Sequence, residues 1–121
     1  MTPLTGQELH NLAMNIVGEA LQKELQWEFL LVNSELKRDP QFVCVDKKNQ
    51  KYFIIVRAVP YGDDPTQYDI VFMEVVRKHA ERHNARTFYA GVGLSNVTDE
   101  TLPLYKEEPY KLNFQGLIEI C

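Results

Sequence analysis

The stretch that decides the fold, residues 18–57, reads GEALQKELQWEFLLVNSELKRDPQFVCVDKKNQKYFIIVR. It contains an apolar run at Glu28–Asn33, followed by two β-rich runs at Gln41–Asp46 and Lys51–Val59. The short polar loop between the last two runs predicts a hairpin. Residues 53–56 are apolar on both faces of the predicted strand, which indicates a central strand covered on both sides.

A helix precedes this stretch. Its apolar residues recur at the spacing of one buried helical face, and they are Leu9, Leu12, Ala13, Ile16, Val17, Ala20 and Leu21. Thr5 and Glu8 form a capping-box pair, and Leu4 and Leu9 stand where a hydrophobic staple belongs. The sequence therefore predicts a helix over about residues 6–24.

The second half of the chain continues the alternation of helix and strand. Residues 60–65 are rich in proline and glycine and predict a loop. Thr66 or Asp69 can then cap a second helix, with Asn84 as its left-handed C-cap. A strand follows at Thr87–Leu94, and the alternation over residues 110–120 predicts one long half-buried strand, bent at Gly116.

These elements predict one α+β (α/β) domain over residues 1–121. Its core has the order α-β-β-β-α-β, with a mixed central sheet flanked by helices and an additional C-terminal strand. A chain of 121 residues is one domain by length, and no linker or repeat divides it.

The charge balance limits the kinds of partner. Thirteen Lys and Arg residues against seventeen Asp and Glu residues give a net charge of −4, which argues against a broad face for duplex nucleic acid. No apolar run is long enough to span a membrane, and no signal peptide is evident, so we expect a cytoplasmic protein. The two cysteines, Cys44 and Cys121, predict no disulfide framework.

Basic residues concentrate in one region of the sequence. These are Lys37, Arg38, Lys47, Lys48 and Lys51. We expect the hairpin to bring the turn lysines near the Lys37–Arg38 loop, where they either contact phosphates or protect a sheet edge from aggregation. Any binding of nucleic acid through this patch is expected to be weak.

The histidines predict no metal site. His79 and His83 have the i, i+4 spacing of two ligands on one helix face, but no cysteine or third histidine lies near them in sequence.

The order and spacing of residues 9–94 resemble the PD-(D/E)xK superfamily, and in particular its small Holliday-junction-resolvase-like members. Gly18-Glu19-Ala20 is similar to their helix motif, and residues 52–58 are similar to their third strand. The resemblance implies a site in which a helical Glu, a strand Asp and a Glu-x-Lys pair converge on Mg²⁺. It places Glu19 at the helical Glu.

The chain departs from that pattern at the remaining positions. Gln41 stands in place of the metal-binding Asp, Ile55 in place of the strand Glu, and Arg57 in place of the Lys. Ile55 cannot bind a metal, and Arg57 can hold an anion but is too basic to shuttle protons. Arg57 on a central strand is expected to pair with a carboxylate, and Glu19 is the natural candidate. Asp39, which precedes a proline, can substitute for the missing strand acid, so the catalytic candidates are Glu19, Asp39 and Arg57.

Three functions fit these observations. The first, which we favour, is a non-catalytic binding or assembly module on a nuclease-like fold, with no cofactor. The second is an active Mg²⁺-dependent nuclease that uses the displaced acids Glu19 and Asp39. The third is an unrelated α+β interaction domain whose long C-terminal strand pairs with a protein partner or with a second copy as a homodimer.

Overall fold

A computed structural model describes residues 2–121 of the protein. The first helix, α1, spans Gly6–Glu19 and continues as a π-helical turn over Ala20–Glu24. The Thr5 hydroxyl accepts a hydrogen bond from the Glu8 amide at 3.1 Å, and the Glu8 carboxylate accepts one from the Thr5 amide at 3.0 Å. The predicted capping box and the predicted helix over about residues 6–24 are both confirmed.

Six strands form one mixed sheet. They are β1 (Glu28–Val32), β2 (Phe42–Val45), β3 (Lys51–Pro60), β4 (Ala85–Asn96), β5 (Tyr110–Phe114) and β6 (Ile118–Ile120). The order across the sheet is β1-β2-β3-β4-β5, and β6 also pairs with β4. Helix α2 (Ile70–Glu81) connects β3 to β4, which run parallel, because parallel neighbours need a crossover. The predicted α+β fold and its element order are confirmed.

The two helices cover opposite faces of the sheet. Tyr52, Ile54 and Val56 of β3 join the cluster under α1, whereas Ile55 joins the cluster under α2. Successive side chains of a strand point to opposite faces, so β3 is buried on both sides between its two neighbours. The predicted central strand is confirmed.

Helix α2 is capped by Asp69, one of the two predicted capping residues, and not by Thr66. The Asp69 carboxylate accepts a hydrogen bond from the Phe72 amide at 3.0 Å. Asn84, three residues beyond the end of α2, has the expected positive φ of 57°. No helix within residues 2–121 combines the length and the apolar character that crossing a bilayer requires.

The C-terminal segment differs from its prediction. It forms two strands that pair with different parts of β4: Phe114 lies opposite Val92, and Ile118 lies opposite Tyr89. Four steps along this segment therefore match three steps along β4, and the extra residue is accommodated around Gly116, which has a φ of 90°. The predicted single long strand is therefore two shorter strands, and β5 forms one edge of the sheet.

Candidate functional site

The site centres on an ion pair at the end of β3. Arg57 Nη1 lies 2.9 Å from Asp39 Oδ1, and Arg57 Nη2 lies 3.1 Å from Asp39 Oδ2. The Arg57 guanidinium also lies 5.5 Å from the centre of the Phe72 ring on α2. Arg57 therefore faces the α2 side of the sheet, where a carboxylate and an aromatic ring satisfy it.

Gln41 completes the cluster from a fully buried position before β2. Its side-chain amide donates hydrogen bonds to Asp39 Oδ1 at 2.6 Å and to the Arg38 carbonyl at 3.1 Å. Its side-chain oxygen accepts one from the Val56 amide at 2.7 Å. Both ends of the Gln41 side chain are thus engaged, and they fix the segment that carries Asp39 against β3.

The charges within this cluster balance. Burial raises the pKa of Asp39, but hydrogen bonds from Arg57 and Gln41 outweigh burial and hold that pKa below its ordinary value. Asp39 is therefore ionised at neutral pH, and its negative charge is matched by that of Arg57.

His10 of α1 is a buried titratable group whose pKa responds to the charges of this cluster. Only 2% of the residue is exposed, and its Nε2 has no hydrogen-bond partner within the described residues. Burial lowers its pKa, as does the positive charge of Arg57, while the charge of Asp39 acts in the opposite direction. His10 is therefore held in its neutral form.

Ile55 occupies the position that the resemblance assigns to a metal-binding carboxylate, and it is fully buried. It packs with Met73, Val76 and Tyr89 under α2. Ile55 borders a pocket of about 360 Å³ whose other lining residues are Arg57, Gln67, Tyr68, Asp69, Phe72, Met73 and Tyr89. The one carboxylate in this lining, Asp69, caps α2.

The structure corrects the expected partner of Arg57. Glu19 is two-thirds exposed on α1, and it pairs with Lys23 at 2.6 Å. Since α1 and α2 cover opposite faces of the sheet, β3 separates Glu19 from the Arg57 guanidinium. The three catalytic candidates therefore do not converge: Asp39 meets Arg57, and Glu19 stands apart.

The five basic residues do not form one patch, contrary to expectation. Lys37 and Arg38 precede β2, whereas Lys47 and Lys48 lie in the turn after it, and Lys51 begins β3. The length of β2 separates the two groups, which lie toward opposite ends of the sheet. Arg38 also pairs with Glu35 at 3.2 Å.

His79, His83 and Cys44 each pack against neighbouring side chains. His79 and His83 lie with their rings 5.0 Å apart, each about 6 Å from Phe53. Across residues 2–121, no three His, Cys, Asp or Glu side chains group in a way that suits a metal ion. Burial raises the pKa of the Cys44 thiol to about 12, as expected for a small core residue.

Sequence reasoning missed His10, although a signal for it exists. The buried residues of α1 are His10, Ala13, Met14, Val17 and Gly18. His10 lies three and seven positions before two members of the predicted apolar stripe, so helical periodicity places it on the buried face. The Asp39–Arg57 pair has no such signal, because Asp39 lies in an irregular segment.

Comparison with known proteins gives a family and no further likeness. Residues 7–120 match the family described as Domain of unknown function (DUF8840). No curated protein and no solved structure matches the chain. Since the match covers nearly the whole sequence, the chain belongs to the family Domain of unknown function (DUF8840).

Proposed function

We propose that this protein is a non-catalytic binding or assembly module built on a nuclease-like fold. The element order and the mixed sheet, with β3 parallel to β4, are compatible with the PD-(D/E)xK resemblance. Fold alone does not supply an activity, so the proposal rests on the residues at the catalytic positions.

The observation that carries the proposal is the closed cluster of Asp39, Gln41 and Arg57. Magnesium ions prefer several oxygen ligands, usually carboxylates together with water or phosphate. Both carboxylate oxygens of Asp39 already accept hydrogen bonds from Arg57. The neighbouring catalytic position is Ile55, which has no ligand atom and packs in the core. A metal ion at this place would have to displace the Arg57 guanidinium from the Asp39 carboxylate.

The alternative function, a nuclease that uses displaced acids, is less well supported. It requires Glu19 and Asp39 to share a metal ion. The charge of Asp39 acts on His10 of α1, whereas Glu19 lies nine residues further along that helix, about 13 Å at 1.5 Å per residue, and pairs with Lys23. This separation weighs against a shared ion.

A cleavage assay tests the proposal. Pure protein is incubated with Mg²⁺ or Mn²⁺ and with linear DNA, branched DNA or RNA, and we expect no cleavage of any substrate. Binding to nucleic acid, measured in the same buffers, should be weak, steeply salt-dependent and insensitive to sequence.

Metal-dependent nicking that disappears in Glu19→Ala or in Asp39→Asn would overturn the proposal and favour the nuclease. Circular dichroism of each variant establishes that a loss of nicking does not come from unfolding. Lys23→Ala, which removes the partner of Glu19 but no acid, is the matched control for Glu19→Ala.

A further inference from the structure

Helix α2 presents apolar side chains to solvent. Ile70 is 75% exposed, Val71 is 76% exposed and Val75 is 62% exposed, although the opposite side of the same helix buries Met73, Val76 and Ala80. Scattered apolar residues are normal on a protein surface, but a cluster on one helix often marks an interaction site.

Charged residues flank this apolar surface with opposite signs at its two ends. Asp63 and Asp64 lie in the loop that leads into α2, and both are exposed. Lys78 and Arg82 lie at the other end, are also exposed, and form no ion pair within residues 2–121. The intervening Glu74, Arg77 and Glu81 bond to one another along the helix. The exposed apolar residues of α2 are therefore preceded along the chain by two exposed acids and followed by two exposed bases.

We propose that the α2 face binds the α2 face of a second copy of this chain in antiparallel orientation, giving a two-fold dimer. In an antiparallel pair centred between Val71 and Val75, each Val71 packs against the partner's Val75. The basic end of each helix then lies beside the acidic end of the other. A parallel pair would instead place like charges together, which is unfavourable.

The α2 face is self-complementary, and this property favours a second copy of the chain as its partner. A two-fold interface uses the same patch on both subunits, so the patch has to carry both halves of every charge pair. The α2 face meets this requirement with its own residues. An anionic membrane is a poorer occupant, because the acidic end of the face would be repelled by it.

This inference extends the proposed assembly role to a particular partner, and its test is separate from the cleavage assay. Sedimentation equilibrium of the full chain, over about 1 to 100 μM, should give the mass of a dimer at the upper end of the range. Cleavage activity would contradict the proposed function but would leave this mass unchanged.

Two kinds of variant locate the interface. Val71→Glu with Val75→Glu should weaken dimerisation by about tenfold or more, since it places charge in the centre of the contact. Leu31→Glu is the matched control, because Leu31 is an apolar residue of β1 that is 46% exposed. It should leave the mass of the dimer unchanged, and the circular dichroism spectra of both variants should match that of the wild type.

A charge swap tests the orientation. Lys78→Glu with Arg82→Glu should weaken the dimer, and so should Asp63→Lys with Asp64→Lys. An equimolar mixture of these two variants should restore it, because each interface then again opposes acids with bases. A monomer at all concentrations would overturn the proposal. So would a dimer that is lost in Leu31→Glu but not in the valine variant, or a mixture that fails to recover.

Discussion

Arg57 and Asp39 meet through two parallel contacts, with 2.9 Å between Nη1 and Oδ1 and 3.1 Å between Nη2 and Oδ2. The pair joins the end of β3 to the irregular segment before β2, eighteen positions earlier in the chain. The ion pair therefore anchors the irregular segment before β2, and it supplies the Arg57 guanidinium with a negative partner.

Removing the carboxylate should destabilise the fold. The Asp39 side chain is 19% exposed and that of Arg57 is 33% exposed, so the pair is only partly screened by water. Asp39→Ala leaves a guanidinium and the Gln41 amide without their shared acceptor, and we expect the free energy of unfolding to fall by about 1–3 kcal/mol. Urea unfolding followed by tryptophan fluorescence measures this change.

Glu19→Ala is the control for that measurement. It breaks an ion pair of similar length, but both of its partners are largely exposed, and exposed pairs contribute little to stability. The loss should therefore be far smaller than for Asp39→Ala. Equal losses in the two variants would mean that the Asp39–Arg57 pair has no special role in anchoring the loop.

A second prediction concerns His10 and pH. Burial and Arg57 lower the pKa of His10 in the folded protein, whereas the unfolded chain keeps a value of about 6.5. Below that pH the unfolded state binds a proton that the folded state resists, so stability should fall as the pH drops from 7 toward about 5. His10→Gln should flatten this part of the stability curve.

The pKa of Asp39 is also lowered, so its stabilising contribution is present above the ordinary carboxyl pKa of about 3.9. It is lost only at lower pH, below the window of His10. His83→Gln, the same substitution at an exposed histidine, is the matched control. A slope that survives in His10→Gln would show that another group is responsible.

A third prediction compares two isoleucines. Ile55 is fully buried under α2, so Ile55→Ala should cost about 2–5 kcal/mol of unfolding free energy. Ile70 is 75% exposed, and Ile70→Ala should change that energy by no more than about 0.5 kcal/mol. Both are measured at low micromolar protein, so that association does not contribute. A loss well below 1 kcal/mol at Ile55 would mean that its side chain faces a water-filled pocket, and the metal-site hypothesis would return.

The regular elements could be predicted because their signals are local. The capping pair Thr5 and Glu8 lies within one turn of helix, and the β2–β3 hairpin connects strands that are adjacent in sequence. The sequence also predicts which residues of β3 share a face, since alternate residues of a strand face opposite sides. These features depend on spacing along the chain and not on its long-range path.

The site depends on how distant parts of the chain pack together, which explains why the expected partner of Arg57 was wrong. Assigning Glu19 to Arg57 requires knowing which face of the sheet α1 covers, and α1 packs on the face of Ile54 and Val56 instead. Asp39 lies between β1 and β2 in a segment without a periodic pattern, so its approach to Arg57 has no local signature. The one-residue offset around Gly116 likewise becomes evident only when the C-terminal segment is aligned with β4.

Gly91 gives the last prediction. It belongs to a Gly-Val-Gly sequence in β4 that does not lead into a helix and therefore makes no phosphate-binding loop. The structure gives this glycine a packing role: a Cβ atom placed there would lie 2.1 Å from the Pro65 carbonyl oxygen. The loop between β3 and α2 passes directly over β4 at this point.

Gly91→Ala should therefore force backbone away from backbone, which a side-chain rotation cannot relieve. We expect a loss of about 3 kcal/mol in unfolding free energy, by the usual cost of overpacking. Gly62→Ala is the matched control, since its added Cβ would meet no atom closer than 3.8 Å. It should change the stability by no more than about 0.5 kcal/mol. Equal stability of the two variants in urea would mean that the loop does not rest on β4, and the pocket beside Arg57 would then lose the support of the segment that carries Gln67 and Tyr68.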